Sequence, residues 1–250
     1  MSGAHASRIL AFNVDAGALH KCDAVTGTNK SDQRRWSKVW FGFPHVGAGH
    51  KDEHRNVLAN QLLILRFLIS VAPYLTEGPL PEAIQGRKRR AASEDDEDDE
   101  EPIEAADDEP DVSATSVPPR RQGSVLITIR NAVPYTLWNI PMLGKRLRDV
   151  LQPIAASAPS PPKGIRAPTV SDVDKNGAQY VLWRSFEFVP SNWPGYSHRR
   201  TVGFVEGLST SHNEDLLRRP TQPPQQGQPS GRHVGTGECR TYELALQPVH

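Results

Sequence analysis

Apolar residues recur along the chain in two rhythms. Leu58, Leu62, Leu65 and Ile69 repeat at 4, 3 and 4 residues, the spacing of one helix face. Leu63, Ile64, Phe67 and Leu68 widen that face, which predicts a helix over 52–72, largely buried against a sheet and ended by Pro73. Shorter β-branched or aromatic runs predict strands at 9–14, 39–43, 123–129, 181–188, 201–205 and 239–246. The run at 123–129 is β-branched on both faces, as a central parallel strand requires. A second helix should follow "RNAVPYTLWNIP", with Asn139 or Ile140 at its N-cap and Pro141 in its first turn. Its apolar face is Leu143, Leu147, Val150 and Leu151; Lys145, Arg146 and Arg148 lie mainly opposite.

Between these elements the pattern fails in three places. Residues 79–122, 152–177 and 207–237 are polar and rich in Pro, Gln or acidic residues, and are expected to be disordered insertions. Without them roughly 150 residues remain, one domain by size. The order β, β, α, β, α, β, β, β predicts an α/β fold, parallel at the start with an antiparallel hairpin at the end.

Charge sharpens this division. The chain holds 29 acidic and 29 basic residues, but 13 acidic and 4 basic ones fall within 87–111. The rest therefore carries a balance of +9, which suits a polyanionic partner such as RNA, or simply an ordinary basic surface. "GRKRR" at 86–90 running into "SEDDEDDEE" at 93–101 resembles a nuclear localisation signal beside an acidic tract; a solvated linker is the alternative. Cys22 and Cys239 form no CxxC or zinc pattern, so free thiols are expected. No membrane span is expected, because the longest apolar run is broken by Arg66.

Five ordered motifs, "NVDAGAL", "FGFPHVG", "NQLLILRFLISVAPYL", "PYTLWNI" and "WPGYSHRRTVGF", resemble the large-subunit rRNA uridine-N3 methyltransferase-like family, as do "NEDLL" at 213–217 and the closing "CRTYEL". The resemblance covers 8–246. It implies a Rossmann-like class I methyltransferase sheet in the order 3-2-1-4-5-7-6, with 9–14 as the third strand and 39–43 as the fourth. It implies S-adenosylmethionine as methyl donor and uridine N3 of large-subunit rRNA as target, within the pre-ribosome. A nucleolar monomer is expected, with the cytoplasm as the alternative location. The family's "GDGDFSFS"-like glycine turn, which cradles the cofactor, is absent from this chain, so the expected sheet is incomplete and truncated at its N-terminus. A catalytically inactive RNA-binding relative and a nucleolar scaffold are the alternative functions.

The resemblance also nominates a site. Phe43, Pro44 and His45 end a strand on its carboxyl side, where open α/β sheets place ligands. Phe43 would stack on a flipped uracil, Pro44 would fix the turn, and His45 would contact a base edge or take the N3 proton. Otherwise Phe43 is core and His45 packs beneath the loop. Asp15 would contact the adenine of the cofactor, or serve as a turn residue. Tyr135, Trp138 and Asn139 would supply stacking and a hydrogen bond to a nucleobase, or close the core. Trp193, Tyr196, His198, Arg199 and Arg200 join aromatics to cations and suit an RNA backbone, or the arginines brace their own loop. His45, His50 and His54 lack a carboxylate or thiolate set at recognised spacing, so no metal is expected.

Overall fold

The computed structural model describes residues 11–28, 34–47, 52–80, 121–160, 164–196 and 239–247. His198, Arg199, Arg200, the strand expected at 201–205 and the tracts at 81–120 and 207–237 lie outside the described residues. Four strands form an open sheet in the order β1, β2, β4, β3. They are β1 (Lys38–Gly42), β2 (Ser124–Arg130), β3 (Tyr180–Glu187) and β4 (Cys239–Leu246). β1 and β2 run parallel, whereas β4 is antiparallel to both neighbours. The result is a mixed α/β fold.

Pairing register decides which side chains meet. Val39 pairs with Val125 and Phe41 with Ile127, and Leu244 of β4 lies on the same face opposite Val125. That face packs on helices. A one-turn helix α1 (Asp23–Thr26) is followed by α2 (Glu53–Val71), the crossover between β1 and β2. Asp52 starts α2, its Oδ1 accepting the Arg55 N–H at 2.9 Å. Ile64, Leu65, Leu68 and Val71 are fully buried, and the Phe67 ring lies 4.4 Å from that of Phe41. Glu53–Tyr74 is apolar enough to cross a bilayer, but 67% of that apolar window is buried inside the fold, where core packing accounts for it.

The same core takes Leu143 of α3 (Ile140–Lys145), Leu151 and Ile154 of α4 (Leu147–Ser157) and Val173 of α5 (Val170–Asn176). α3 lies so close to β4 that a Cβ on Gly144 would stand 2.8 Å from Leu244 Cδ1. The opposite sheet face is built from buried polar groups. Glu243 of β4 is fully buried and receives Ser124 Oγ at 2.6 Å, Arg184 Nε at 2.8 Å and the Lys38 ammonium. Burial pushes its carboxyl upward, but these hydrogen bonds and the Lys38 charge outweigh it, and the net direction is down.

Several expectations are corrected. The described part of the 9–14 strand is irregular and exposed: Phe12 is 78% accessible, and Asn13 has φ 56°, which breaks an extended run. The chain instead enters a 3-10 stretch, Ala16–Lys21, capped by Asp15. The stretch 152–177 is not a continuous interruption, because α4 runs through Pro153 to Ser157. Leu151 and Ile154 continue the apolar spacing, and their burial outweighs the hydrogen bond that proline forfeits. Within the same stretch, Thr169 and Asp172 form a reciprocal capping box that starts α5. The single helix expected after 139 is divided at Arg146 into α3 and α4. Among the described residues the order is therefore β, α, β, α, α, α, β, β after the N-terminal turns.

Candidate functional site

Register brings the carboxyl ends of β1, β2 and β3 to one edge of the sheet. Gly42 pairs with Thr128, Arg130 with Cys239, and Glu187 with Arg240. Three loops leave this edge, at 43–47, 131–139 and 188–196.

In the first loop the Phe43 N–H donates to the Thr128 carbonyl at 2.8 Å, prolonging the β1–β2 ladder by one bond. Phe43 then turns into the left-handed region at φ 50°, a strained conformation for a bulky residue. Pro44 is buried beneath the turn while His45 is exposed at its rim. Gly47, at φ 69°, donates its N–H to His45 Nδ1 at 2.8 Å. An imidazole nitrogen that accepts a hydrogen bond carries no proton, so the neutral ring holds its hydrogen on Nε2. Partial desolvation of the ring at this rim lowers the His45 pKa from its ordinary 6.5 and favours this neutral form.

The second loop contains the 3-10 turn Tyr135–Trp138. Trp138 is fully buried, with its ring 5.2 Å from Tyr135 and 6.3 Å from His45. A ring closed off from solvent has no free face for a nucleobase, which corrects the expected stacking role of Trp138. Among the described residues its indole Nε1–H finds no hydrogen-bond partner. Asn139 is left-handed at φ 48°, and its side chain accepts the Met142 N–H at 3.3 Å to cap α3. The cap position is as expected.

The third loop completes an aromatic group. Phe188 is the hub: its ring centroid lies 5.8 Å from Trp40, 5.9 Å from Phe43, 6.0 Å from Trp193 and 5.4 Å from Tyr196. Trp40 and Trp193 remain about half exposed. Trp40 also donates from Nε1 to Thr128 Oγ1 at 2.9 Å, which fixes its ring over the sheet. Burial, and then the nearby Cys239, push the Tyr196 hydroxyl upward, so it stays a donor. Phe43, Tyr196 and Trp193 thus converge on Phe188, while Pro44 and His45 follow Phe43 in the chain and the His45 ring neighbours Trp138. Sequence reasoning missed Trp40 and Phe188. The period-2 placement of Trp40 between Val39 and Phe41 was the signal for a ring on the second face.

Asp15 stands apart. Its Oδ1 accepts the Gly17 N–H at 2.8 Å, and its Oδ2 is 3.1 Å from the Arg66 guanidinium. Arg66 lies about 9 Å further along α2 than Asn60, which touches the His45 loop. The aspartate therefore closes a turn against α2. The cavity beside it, about 590 Å³ between Arg66, Tyr74, Arg166 and Lys175, includes none of the strand-tip residues. Among the described residues no cluster of His, Cys, Asp or Glu has the arrangement to hold a metal ion.

The profile of the family described as "rRNA (uridine-N3-)-methyltransferase BTM5-like" matches residues 5–200. The chain belongs to this family. It is also similar to the 25S rRNA (uridine(2634)-N(3))-methyltransferase of Saccharomyces cerevisiae, 25% identical over 202 residues. That match takes in 76% of this chain and 47% of the yeast protein, so the chain spans about half the length of the curated relative it matches. No solved structure gives a significant match. All three strand-tip loops lie within the family match.

Proposed function

We propose that this chain supplies the base-reading part of an rRNA methyltransferase that acts on N3 of uridine in large-subunit rRNA, working as a monomer in the nucleolus. The carrying observation is the convergence of Phe43, Trp193 and Tyr196 on Phe188 at the carboxyl edge of β1, β2 and β3, with His45 two residues beyond Phe43 in the same turn. The strand order β1-β2-β4-β3 supports it, since it corresponds to the 4-5-7-6 part of the Rossmann-like class I order. His198, Arg199 and Arg200 follow Tyr196 within four residues, and are proposed as contacts to the RNA backbone.

The geometry divides the work among a few groups. The half-buried Phe43 ring, set edge-on to Phe188, offers a stacking face. The Nε2–H of His45 is a donor suited to a carbonyl beside N3 of uracil. With Nδ1 held by Gly47, His45 reads the base and does not take the N3 proton in this conformation. S-adenosylmethionine is the methyl donor that the methyltransferase class implies. The described residues do not form its pocket: no glycine-rich turn follows a strand among them, and Asp15 is engaged by Arg66.

Mapping 3-methyluridine tests the proposal, because a methyl group at N3 blocks base pairing and stops primer extension. Depleting this protein from its own cells should remove one such stop in large-subunit rRNA, and restoring the protein should return it. An unchanged set of stops contradicts the proposal. Unchanged stops together with uridine-selective RNA binding would identify an inactive RNA-binding relative instead.

A further inference from the structure

Two adjacent amides interrupt the buried surface of α2. Asn60 is 1% accessible and Gln61 is 8%. Burying an amide is unfavourable unless its hydrogen bonds are made, so helix packing alone gives no reason for them. Their contacts do. Asn60 Nδ2 donates to the Asn56 carbonyl at 2.9 Å and to Asn56 Oδ1 at 2.6 Å. With both donor directions used inside the helix, Oδ1 is turned outward and accepts the Val46 N–H at 2.9 Å. Exchanging the oxygen and nitrogen of this amide would set donor against donor at Val46.

Val46 is the residue between His45 and Gly47, so the Asn60 bond and the Gly47–His45 bond act on one turn. One residue on, Gln61 Nε2 lies 3.4 Å from the carbonyls of both Leu137 and Trp138, in the loop after β2. Successive helix residues point about 100° apart, so one turn of α2 addresses both loops at once.

We infer that Asn60, seconded by Gln61, is a positioning residue: it sets the His45 turn against the Tyr135–Trp138 loop so that Phe43 and the His45 Nε2–H address the same base. This rests on the uridine reading of the strand tips. Asn60 touches the backbone of the turn, and so acts on the base through His45.

The test uses the full chain with Asn60→Leu, which keeps volume and removes both hydrogen-bonding functions, and Asn60→Asp, which keeps the acceptor for Val46. Three quantities are measured: thermal unfolding, the ¹⁵N shifts of the His45 ring, and affinity for single-stranded RNA bearing uridine or cytidine. Asn60→Leu should still unfold cooperatively and lose the shift of an accepting Nδ1. It should also lose roughly five- to tenfold in preference for uridine, the effect of one hydrogen bond. Asn60→Asp keeps the Val46 bond but sets an oxygen against the Asn56 carbonyl, so it should restore the shift and the preference in part. If Asn60→Leu does not fold, Asn60→Ala, which inserts no bulk, should show the same two losses. An unchanged His45 shift and unchanged preference in the folded variant overturn the inference. A wild-type chain with no uridine preference would overturn the uridine reading, and the His45 shift would then decide the role of Asn60 by itself.

Discussion

His45 combines two constraints that point the same way. Gly47 holds Nδ1 as an acceptor, and partial desolvation lowers the pKa of the ring below 6.5. A histidine whose folded pKa is depressed favours the folded turn most above its unfolded value, and that contribution is lost as pH falls through the folded one. Uridine affinity should therefore be flat at neutral pH and decline as pH falls through the folded value, which lies below 6.5. In His45→Gln the decline should disappear, since glutamine does not titrate; the same decline in that variant would assign it to another group. Beside it, Phe43 holds φ at 50°, a conformation costing on the order of 1–3 kcal/mol, repaid by the Thr128 hydrogen bond and the Phe188 contact. The sequence had already raised this turn as a site, since an apolar strand there stops at a proline and a histidine. It did not reveal which nitrogen of His45 is free, because the Gly47 contact depends on a left-handed glycine.

At the scale of elements, the same pattern reading succeeded where burial follows a period. α2 spans Glu53–Val71 against the expected 52–72, since its face repeats at 4, 3 and 4 residues and Asp52 caps it. It failed where one residue contradicts its surroundings. Pro153 sits inside α4, and Asn13 breaks a run of strand formers. Glu243 is subtler: it alternates with Tyr242 and Leu244, as a solvent-facing residue would, yet it is fully buried. Its partner Lys38 stands 205 residues away, beyond any local pattern. Lys38 also lies over the Trp183 ring at 4.9 Å, and Arg184 over the same ring at 5.0 Å, so cations and aromatics together roof the buried carboxylate. Lys38→Met should lower unfolding free energy in denaturant by about 2 kcal/mol, the scale of a hydrogen bond to a charged group. Because the Glu243 carboxyl is held below 4.5, its contribution is complete above that pH and lost as pH falls through the folded value. Acid unfolding of Glu243→Gln should accordingly be shallower than that of the wild type; identical acid profiles would show that the network adds nothing.

For the molecule as a whole, the sheet gathers three loops on one edge, and α2 ties two of them together through Asn60 and Gln61. The helices fill one face with apolar side chains, while the other face is finished by Glu243, Thr128, Thr241 and Trp40. Charge follows the same division, since the acidic tract lies in sequence outside the parts that make the sheet. The central claim is that the loop edge recognises uracil. Affinity for two single-stranded RNAs of equal length, differing only in uridine or cytidine at one position, measures it directly. Phosphate contacts cancel in that ratio, so it should not change with salt. Uracil offers a carbonyl at the position where cytosine carries an amino group, and a neutral His45 donating from Nε2, as proposed, would pair with the carbonyl and not with the amino group. Uridine should bind at least fivefold more tightly, with the ratio falling to near one in His45→Ala. Equal binding of the two RNAs by the wild-type chain, at every salt concentration, would contradict the account.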